Sequence, residues 1–454
     1  MSQAKSMQRP TRLLNPPNVL GWRAFWLVIY ALMIVAPILI MALGSRPIER
    51  EPLREISVML GFLGLSMMGL QFIPTARLPF LTDVFDLDWL YAVHHRISVI
   101  SFFAVLAHPI LLFVNNPYTL RLLNVFTASR RAQASVAAVL ALLVLTVTSV
   151  WRKQLEIEYD RWHVVHDVAA ILIAALSLYH VFKVNYYTAV PAQRILWIVL
   201  AVVWSVMLLY ARLIRPWAMA RRPYRVVKVM PELGDAWTLL LEPEGHAGMR
   251  FLPGQFAWLN VWRSPFAVPH HPFSFASSAE RPEQMGFMIK SVGDWTERIK
   301  SLTAGTRVYV DGPYGIFSID QHDAPGYVFI AGGSGVAPVL SMLETLADRE
   351  DRRPLQLFYG NWGWETVIYR GQLETLASRL NLDLVHVLES PPDGWDGETG
   401  YVTPELLDRH LLEARAEYVY FICGPIIMID NVEKALLDLG VPHNQIHAER
   451  YDLA

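Results

Sequence analysis

Six long apolar runs fill the first 215 residues, at positions 22–43, 55–73, 89–114, 133–151, 163–183 and 194–212. A helix rises about 1.5 Å per residue and the hydrocarbon core of a bilayer is about 30 Å thick, so runs of roughly 20 apolar residues predict membrane-spanning helices. After Arg222 the period changes. Short alternating runs at 224–230, 237–242 and 255–261, with Pro and Gly between them, predict a small antiparallel barrel. From Gly326 onward, apolar strands at 327–331, 355–359, 384–388 and 418–423 alternate with amphipathic helices at 339–348, 371–380, 404–414 and 426–439. That alternation predicts a parallel sheet flanked by helices. The expected fold class is a multi-domain membrane protein: a six-helix transmembrane bundle, then an antiparallel β-barrel domain, then an α/β parallel-sheet domain. The expected boundaries are 1–20 for an N-terminal segment, 21–215 for the bundle, 222–320 for the barrel and 323–454 for the α/β domain.

Composition agrees with this division. Of the 454 residues only 18% are charged, and the mean hydropathy is +0.29. The net charge of −2 offers no basic surface for nucleic acid. A single cysteine, Cys423, excludes a disulfide framework and a cysteine-ligated iron–sulfur cluster. Residues 1–20 are polar, with Pro10, Pro16 and Pro17, and the first apolar run is long enough to stay as a helix, so no cleavable signal peptide is expected. An even number of spans puts both termini on one side. Arg152, Lys153 and Arg161 join the fourth and fifth runs, and Arg212, Arg215, Arg221 and Arg222 follow the sixth. The basic bias favours a cytoplasmic N-terminus and cytoplasmic later domains.

Four histidines interrupt the apolar runs: His95 and His108 in the third, His166 and His180 in the fifth. Charged side chains in lipid cost roughly 2.5–3.5 kcal/mol or more, so intramembrane histidines have a task, and neutral imidazole is an axial ligand to haem iron. A separation of 13 or 14 residues is roughly 20 Å of helix, enough to put one imidazole near each membrane face. Two such helices side by side would hold two stacked haems. At roughly 100° per residue, His166 and His180 share a helix face, and so do His94 and His108, whereas His95 and His108 differ by about 140°. The angle therefore favours His94 over His95. His163, at the start of the fifth run, reads as an interfacial or propionate-side residue.

The later half carries a second set of motifs. Ala331-Gly332-Gly333-Ser334-Gly335-Val336-Ala337-Pro338 follows a predicted strand and opens a helix, where glycines admit a pyrophosphate and the helix start supplies a positive field. Cys423-Gly424-Pro425 ends a later strand at the same edge of the sheet, a position beside a nicotinamide. His270-His271-Pro272-Phe273-Ser274-Phe275 and Met288 to Thr296 suit a flat aromatic cofactor with a diphosphate tail.

On these motifs the chain resembles, over nearly its whole length, the membrane-bound flavocytochromes b of the ferric reductase and NADPH oxidase superfamily, prokaryotic type, with a ferredoxin–NADP reductase-like module. The resemblance implies that His271, Pro272, Phe273 and Ser274 bind FAD, with Ser274 near the flavin N5. It implies that Lys290, Gly293, Trp295 and Thr296 hold the FAD pyrophosphate. Gly332, Gly333, Gly335 and Pro338, with Cys423, Gly424 and Pro425, would take NADPH or NADH. Asp311-Gly312-Pro313-Tyr314-Gly315 matches the link between the two domains. Tyr451 would cover the isoalloxazine ring, so Tyr451, Cys423 and Ser274 are the expected catalytic set. In the membrane half, Trp162, Pro74 and Arg77 match as well. The resemblance selects His95, which directly precedes Arg96, so His95 and His166 are the expected inner haem b ligands and His108 and His180 the outer ones.

The implied activity moves electrons from cytoplasmic NAD(P)H through FAD and two b-type haems to an acceptor across the lipid bilayer. Arg54 matches an arginine near an oxygen site, which points to superoxide formation from molecular oxygen. Leu112 stands where oxidases commonly have another histidine, which keeps ferric-chelate reduction or an external redox partner open. Tyr451 stands where oxidases usually have Phe. Trp362 stands where NADP-specific relatives frequently have arginine, with Arg370 as a substitute cation.

Overall fold

The computed structural model describes residues 19–44, 50–267 and 270–450. They form two compact units that divide between Pro216 and Trp217. Among the described residues of the first unit, six helices are long and apolar enough to cross a membrane. Their cores are α1 (Val19–Leu43), α2 (Pro52–Leu70), α3 (Leu87–Asn115), α4 (Arg130–Val150), α5 (Tyr159–Val184) and α6 (Pro191–Leu209). Pro52 and Pro191 open α2 and α6, where a missing N–H costs nothing. Asn185, left-handed at φ 49°, stops α5.

The outward faces are apolar and exposed, as with Ile100 and Phe103 on α3 and Val165, Val168 and Leu172 on α5, which is the surface a helix presents to lipid. The interior is built from Phe62, Leu65, Leu70, Val181, Trp197, Leu200 and Trp204. Helix α2 packs closest to its neighbours because it is glycine-rich. A Cβ on Gly64 would lie 2.6 Å from Val105 Cγ2, and one on Gly69 would lie 2.1 Å from the Trp204 ring. Small residues are what let helix backbones approach in a bilayer.

Two helices differ from the sequence reading. After one turn at Gln71, the second span continues through Phe72–Thr75. The sixth passes beyond Arg212 through a π-turn at Tyr210–Ile214 and ends with Arg215–Ala220. Arginine did not end that helix because Arg212 and Arg215 both find partners inside the bundle.

The second unit starts with an antiparallel half-barrel sheet. Its strands are β1 (Tyr224–Glu232), β2 (Ala236–Pro243), β3 (Phe256–Val261), β4 (His271–Ser274), β5 (Met285–Lys290) and β6 (Arg307–Tyr314), ordered β4-β3-β6-β1-β2-β5. A parallel sheet follows, with β7 (Tyr327–Gly332), β8 (Leu355–Asn361), β9 (Leu382–Leu388), β10 (Glu398–Thr399), β11 (Val419–Gly424) and β12 (Ile446–Arg450), ordered β10-β9-β8-β7-β11-β12. Helices α7 (Val336–Asp348), α8 (Arg370–Arg379), α9 (Pro404–His410) and α10 (Ile426–Asp438) flank it. Strands β7 and β11 are buried at every position, which is why they read as unbroken apolar runs. The strand order reverses between β7 and β11. Ligands of open α/β sheets bind at such a switch point, beyond the carboxyl ends of the strands. Helix α9 ends at His410, short of the expected 414, and Gln356 donates to the His410 carbonyl at 2.9 Å.

Candidate functional site

At the switch point the glycine turn and the Cys-Gly-Pro strand end lock together. Cys423 is the buried last-but-one residue of β11, in register with Ala331 on β7 and Glu449 on β12. A Cβ on Gly335 would lie 2.1 Å from the Cys423 carbonyl oxygen, and one on Gly424 would lie 3.0 Å from the Gly332 nitrogen. A Cβ on Gly332 would meet Met428 Sδ at 2.7 Å and Pro425 Cδ at 2.8 Å. Gly333 is different: its φ is +51° and nothing lies within 4 Å of its Cβ direction. That open, side-chain-free turn at the start of α7 is the cradle a pyrophosphate requires. The Tyr359 hydroxyl donates to the Gly333 carbonyl at 3.0 Å, and burial pushes its phenol well above the ordinary range. Pro338 is buried in the first turn of α7.

The flavin motifs converge on one patch of the half-barrel. On β4, Ser274 is buried and pairs in register with Phe256. Trp295 stacks on Phe273 (centroids 5.4 Å apart, planes 16° apart) and lies 4.3 Å from His271. Thr296 accepts the N–H groups of Val292 and Gly293 at 2.9 and 3.0 Å and so shapes its own loop. Gly293 has nothing within 4 Å of its Cβ direction, and Lys290 is exposed at the end of β5. Gly315, at φ +99°, brings the two sheets together. A Cβ there would lie 3.2 Å from the Phe256 ring and 3.8 Å from Glu449 Oε1. Ser274 and Cys423 are thus joined through Phe256, Gly315 and Glu449. Tyr451 lies outside the described residues.

Beyond β8 lie Trp362, Trp364 and Arg370. Trp362 is 63% exposed. Arg370 lies over the Trp364 ring at 4.6 Å and donates to the Trp364 carbonyl at 3.1 Å. Burial, with Arg370 adding to it, lowers the neighbouring His386 to about 4.

In the helical unit, His94 and His108 on α3 and His166 and His180 on α5 share one 14-residue spacing. His94 and His166 have ring centroids 6.3 Å apart. Two metal–nitrogen bonds of roughly 2 Å plus the two ring radii would span that separation, so the pair has the spacing that two ligands of one iron would need. His95 is exposed on α3, and the histidine beside His166 is its neighbour His94. The reason is the helical period, since only His94 shares a face with His108.

The outer nitrogens are fixed by partners of the kind that orient metal-bound imidazole. His108 Nδ1 donates to the Ser57 carbonyl at 2.9 Å, and the Ser57 hydroxyl donates to the His108 carbonyl at 2.7 Å. His180 Nδ1 donates to the Arg131 carbonyl at 3.0 Å. His166 Nδ1 has the Ser149 hydroxyl at 3.4 Å. Each of these rings keeps Nε2 for a metal. His94 Nδ1 is buried and has no hydrogen-bond partner among the described residues. A Cβ on Gly61 would lie 3.0 Å from the His108 ring, so glycine lets α2 reach it.

Trp162 packs on His166 at 4.9 Å. His163 Nε2 lies 3.9 Å from Asp167 Oδ2. Arg54 is exposed on α2, one turn before Ser57. Sequence reasoning missed Ser57, Ser149 and Asp167. Their signal was present, since each is a polar residue inside an apolar run.

Three family models match in order along the chain: "Ferric reductase like transmembrane component" at residues 60–177, "FAD-binding domain" at 238–318 and "Oxidoreductase NAD-binding domain" at 329–434. The chain is 32% identical over 207 residues to a component of the Na(+)-translocating NADH-quinone reductase of Pasteurella multocida, covering 41% of this chain and 51% of that one. It is 30% identical over 237 residues to the reductase component of propane 2-monooxygenase from Rhodococcus jostii, covering 50% and 62%. It is 33% identical over 151 residues to NADH-cytochrome b5 reductase 1 of Lodderomyces elongisporus, covering 33% and 50%. The matches thus span between half and under two thirds of the length of these curated relatives. Among solved structures, the ferredoxin reductase in carbazole 1,9a-dioxygenase is 26% identical, with a TM-score of 0.45 over 51% of this chain and 69% of that one. The three segments in one chain give an integral membrane protein with the ferric reductase and NADPH oxidase type of architecture.

Proposed function

We propose that this protein is a transmembrane electron-transfer enzyme that takes electrons from NAD(P)H and delivers them, through FAD and two b-type haems, to an acceptor across the membrane. The observation that carries the haem reading is the matched spacing of the two histidine sets. His94 and His166 stand 6.3 Å apart, and His108 and His180 lie 14 residues further along each helix, roughly 20 Å away. When bound, nicotinamide and flavin supply hydride chemistry and the haems supply single-electron steps.

The chain's own residues bind and orient. Gly332, Gly333 and Gly335 leave room for the dinucleotide pyrophosphate at the start of α7, and Cys423 lies at the neighbouring strand end. Ser274 and Trp295 belong to the patch proposed for FAD, which Gly315 and Glu449 join to Cys423. Ser57, Arg131 and Ser149 hold the imidazoles in the tautomer that leaves Nε2 for iron. Tyr451 is proposed to cover the flavin.

NADH is the better-supported donor. Arg370 is engaged with Trp364, and Trp362 stands where a cation would meet a 2′-phosphate. The relatives from Pasteurella and Lodderomyces are named for NADH. The basic residues Arg152, Lys153, Arg161 and Arg212 gather at the His94/His166 end, which supports a cytoplasmic location for that end and for the nucleotide-binding unit, in a bacterial inner membrane.

The acceptor reading is molecular oxygen, from Arg54 at the opposite end. The second reading, a ferric chelate, is favoured by Leu112 and by the name of the matched transmembrane model. Acceptor competition separates them. Superoxide-dismutase-sensitive dye reduction is measured against ferric-chelate reduction, with NADH and with NADPH. Chelate reduction that persists without oxygen, together with no dismutase-sensitive signal, would reject the oxygen reading.

A further inference from the structure

The end of the bundle that holds His108 and His180 is strongly basic. Three chain segments meet there. Ser57, near the start of α2, bonds to His108, and the Arg131 carbonyl, at the start of α4, accepts from His180. The Tyr187 hydroxyl, just after α5, donates to Glu55 on α2 at 2.7 Å, and Arg50 lies over the Tyr186 ring at 3.1 Å. Within these segments, residues 50–57, 115–133 and 183–195, there are seven Arg and Lys and two Glu. Arg54, Arg130, Arg131 and Lys183 are exposed, and none of them pairs with a carboxylate among the described residues. The Arg131 guanidinium donates instead to the Lys183 carbonyl at 3.4 Å, which carries its charge from the start of α4 to the end of α5, just past His180. Arg54 stands one turn before Ser57. Each histidine at this end is thus held by a residue that is, or adjoins by one turn, an exposed cation.

Neither membrane insertion nor helix stability calls for this charge. Loops on the non-cytoplasmic side, where the reading above puts this end, ordinarily carry few Lys and Arg. Arg54, Arg130 and Arg131 also lie in the first turns of α2 and α4, where the helix macrodipole is already positive and disfavours a cation. Side chains and helix starts therefore add to one positive field around the outer histidines.

We propose that this end selects its acceptor by charge and takes an anionic chelate, a ferric ion held by carboxylate ligands with a net negative charge, guided inward by Arg54, Arg130, Arg131 and Lys183. This inference rests on the electron-export reading above and sharpens its ferric-chelate alternative. Oxygen is uncharged, and its approach is indifferent to such a field. Fields of this kind raise encounter rates by about 10- to 1,000-fold and weaken as salt screens them. In the step, one electron turns ferric ion into ferrous ion, no bond in the chelate forms or breaks, and no proton moves at the acceptor. One NAD(P)H, losing two electrons and releasing one proton, reduces two ferric ions.

The test uses the full-length holoprotein, reduced with NADH in uncharged detergent without oxygen. Reoxidation is followed at the reduced haem band after mixing with ferric–EDTA or ferricyanide, both anions, or with the cation tris(phenanthroline)cobalt(III). The rate constants for the anions should fall about tenfold as ionic strength rises from about 0.01 to 0.5 M, and that for the cation should rise. The double variant Arg130→Gln, Lys183→Gln should slow the anions roughly threefold or more at low salt and flatten their salt dependence. Lys183→Glu should slow them further than Lys183→Gln, and Lys183→Arg, which keeps the charge, should match wild type. Rates that ignore salt, or that respond in one direction for anions and cation alike, would overturn the proposal; the basic residues would then serve lipid phosphates rather than an acceptor. NADH that bleaches flavin and never reduces haem would overturn the export reading, and this proposal with it.

Discussion

Replacing Gly335 with alanine should cripple nucleotide binding while leaving the flavin in place. The added Cβ would lie 2.1 Å from the Cys423 carbonyl oxygen, 2.4 Å from its carbonyl carbon and 2.8 Å from the Gly424 nitrogen. All three atoms are backbone, so no side chain can rotate to make room. Either β11 moves or the glycine turn backs away from it. Overpacking of this kind costs roughly 1–3 kcal/mol. If the turn takes up the strain, that cost appears in nucleotide affinity as roughly a 5- to 150-fold loss, at tenfold per 1.4 kcal/mol. The flavin patch lies on the other sheet, around Ser274 and Trp295, and should keep its occupancy.

The assay follows anaerobic bleaching of bound flavin against NADH concentration, with flavin content measured in the same sample. Two controls sharpen it. Gly333→Ala has open space but a φ of +51°, so it should cost about 1–2 kcal/mol from backbone strain alone. Gly371→Ala, with nothing within 4 Å in the first turn of α8, should be neutral or mildly stabilising. If Gly335→Ala binds nucleotide like wild type and is equally stable, the packing argument for this turn is wrong.

Other outcomes follow from single features. His94→Ala should lose one haem while His95→Ala keeps both, read from the pyridine haemochrome ratio; the reverse pattern would restore His95 as ligand. Acid should loosen the nucleotide-binding sheet through His447, which burial lowers from 6.5 to about 4 beside His322. The folded pKa is depressed, so this stability is complete above about pH 6.5 and drains away as the pH falls toward 4; at pH 5.5 the loss from His447 is on the order of 1 kcal/mol. Comparing thermal release of flavin at pH 7.5 and 5.5 for wild type and His447→Gln checks it, and an equal acid sensitivity in both would contradict the assignment. Arg370→Ala should change the NADH-to-NADPH preference by less than threefold, because its guanidinium is already engaged with Trp364; a large fall in NADPH use alone would show that Arg370 reads the 2′-phosphate.

Much of this molecule was legible because its signals are periodic. Apolar runs of bilayer length marked six helices, and buried strands such as Tyr327–Gly332 and Val419–Gly424 stood out as unbroken apolar stretches. The shorter strands His271–Ser274 and Arg307–Tyr314 were visible only as motifs, since four to eight residues rich in Pro, Gly and Tyr carry little alternation. Helix angle points to His94 and the resemblance to a family points to His95, one residue away. In the structure His94 is the ring beside His166, because a residue's face is set by its own helix. Partners such as the Arg131 carbonyl left no mark in the sequence, since any residue could supply that backbone oxygen. Asp167 and Arg212 are 45 positions apart, so no local pattern in the sequence announces their pairing.

The most direct measurement is NADH-driven haem reduction in the purified full-length protein, in detergent and without oxygen. Flavin and haem absorbance are followed together after one addition of NADH. The account predicts flavin bleaching followed by the appearance of reduced b-type haem bands, with two bis-imidazole haems per chain. Flavin that bleaches while the haem bands never change, or a chain that carries no haem, would contradict it.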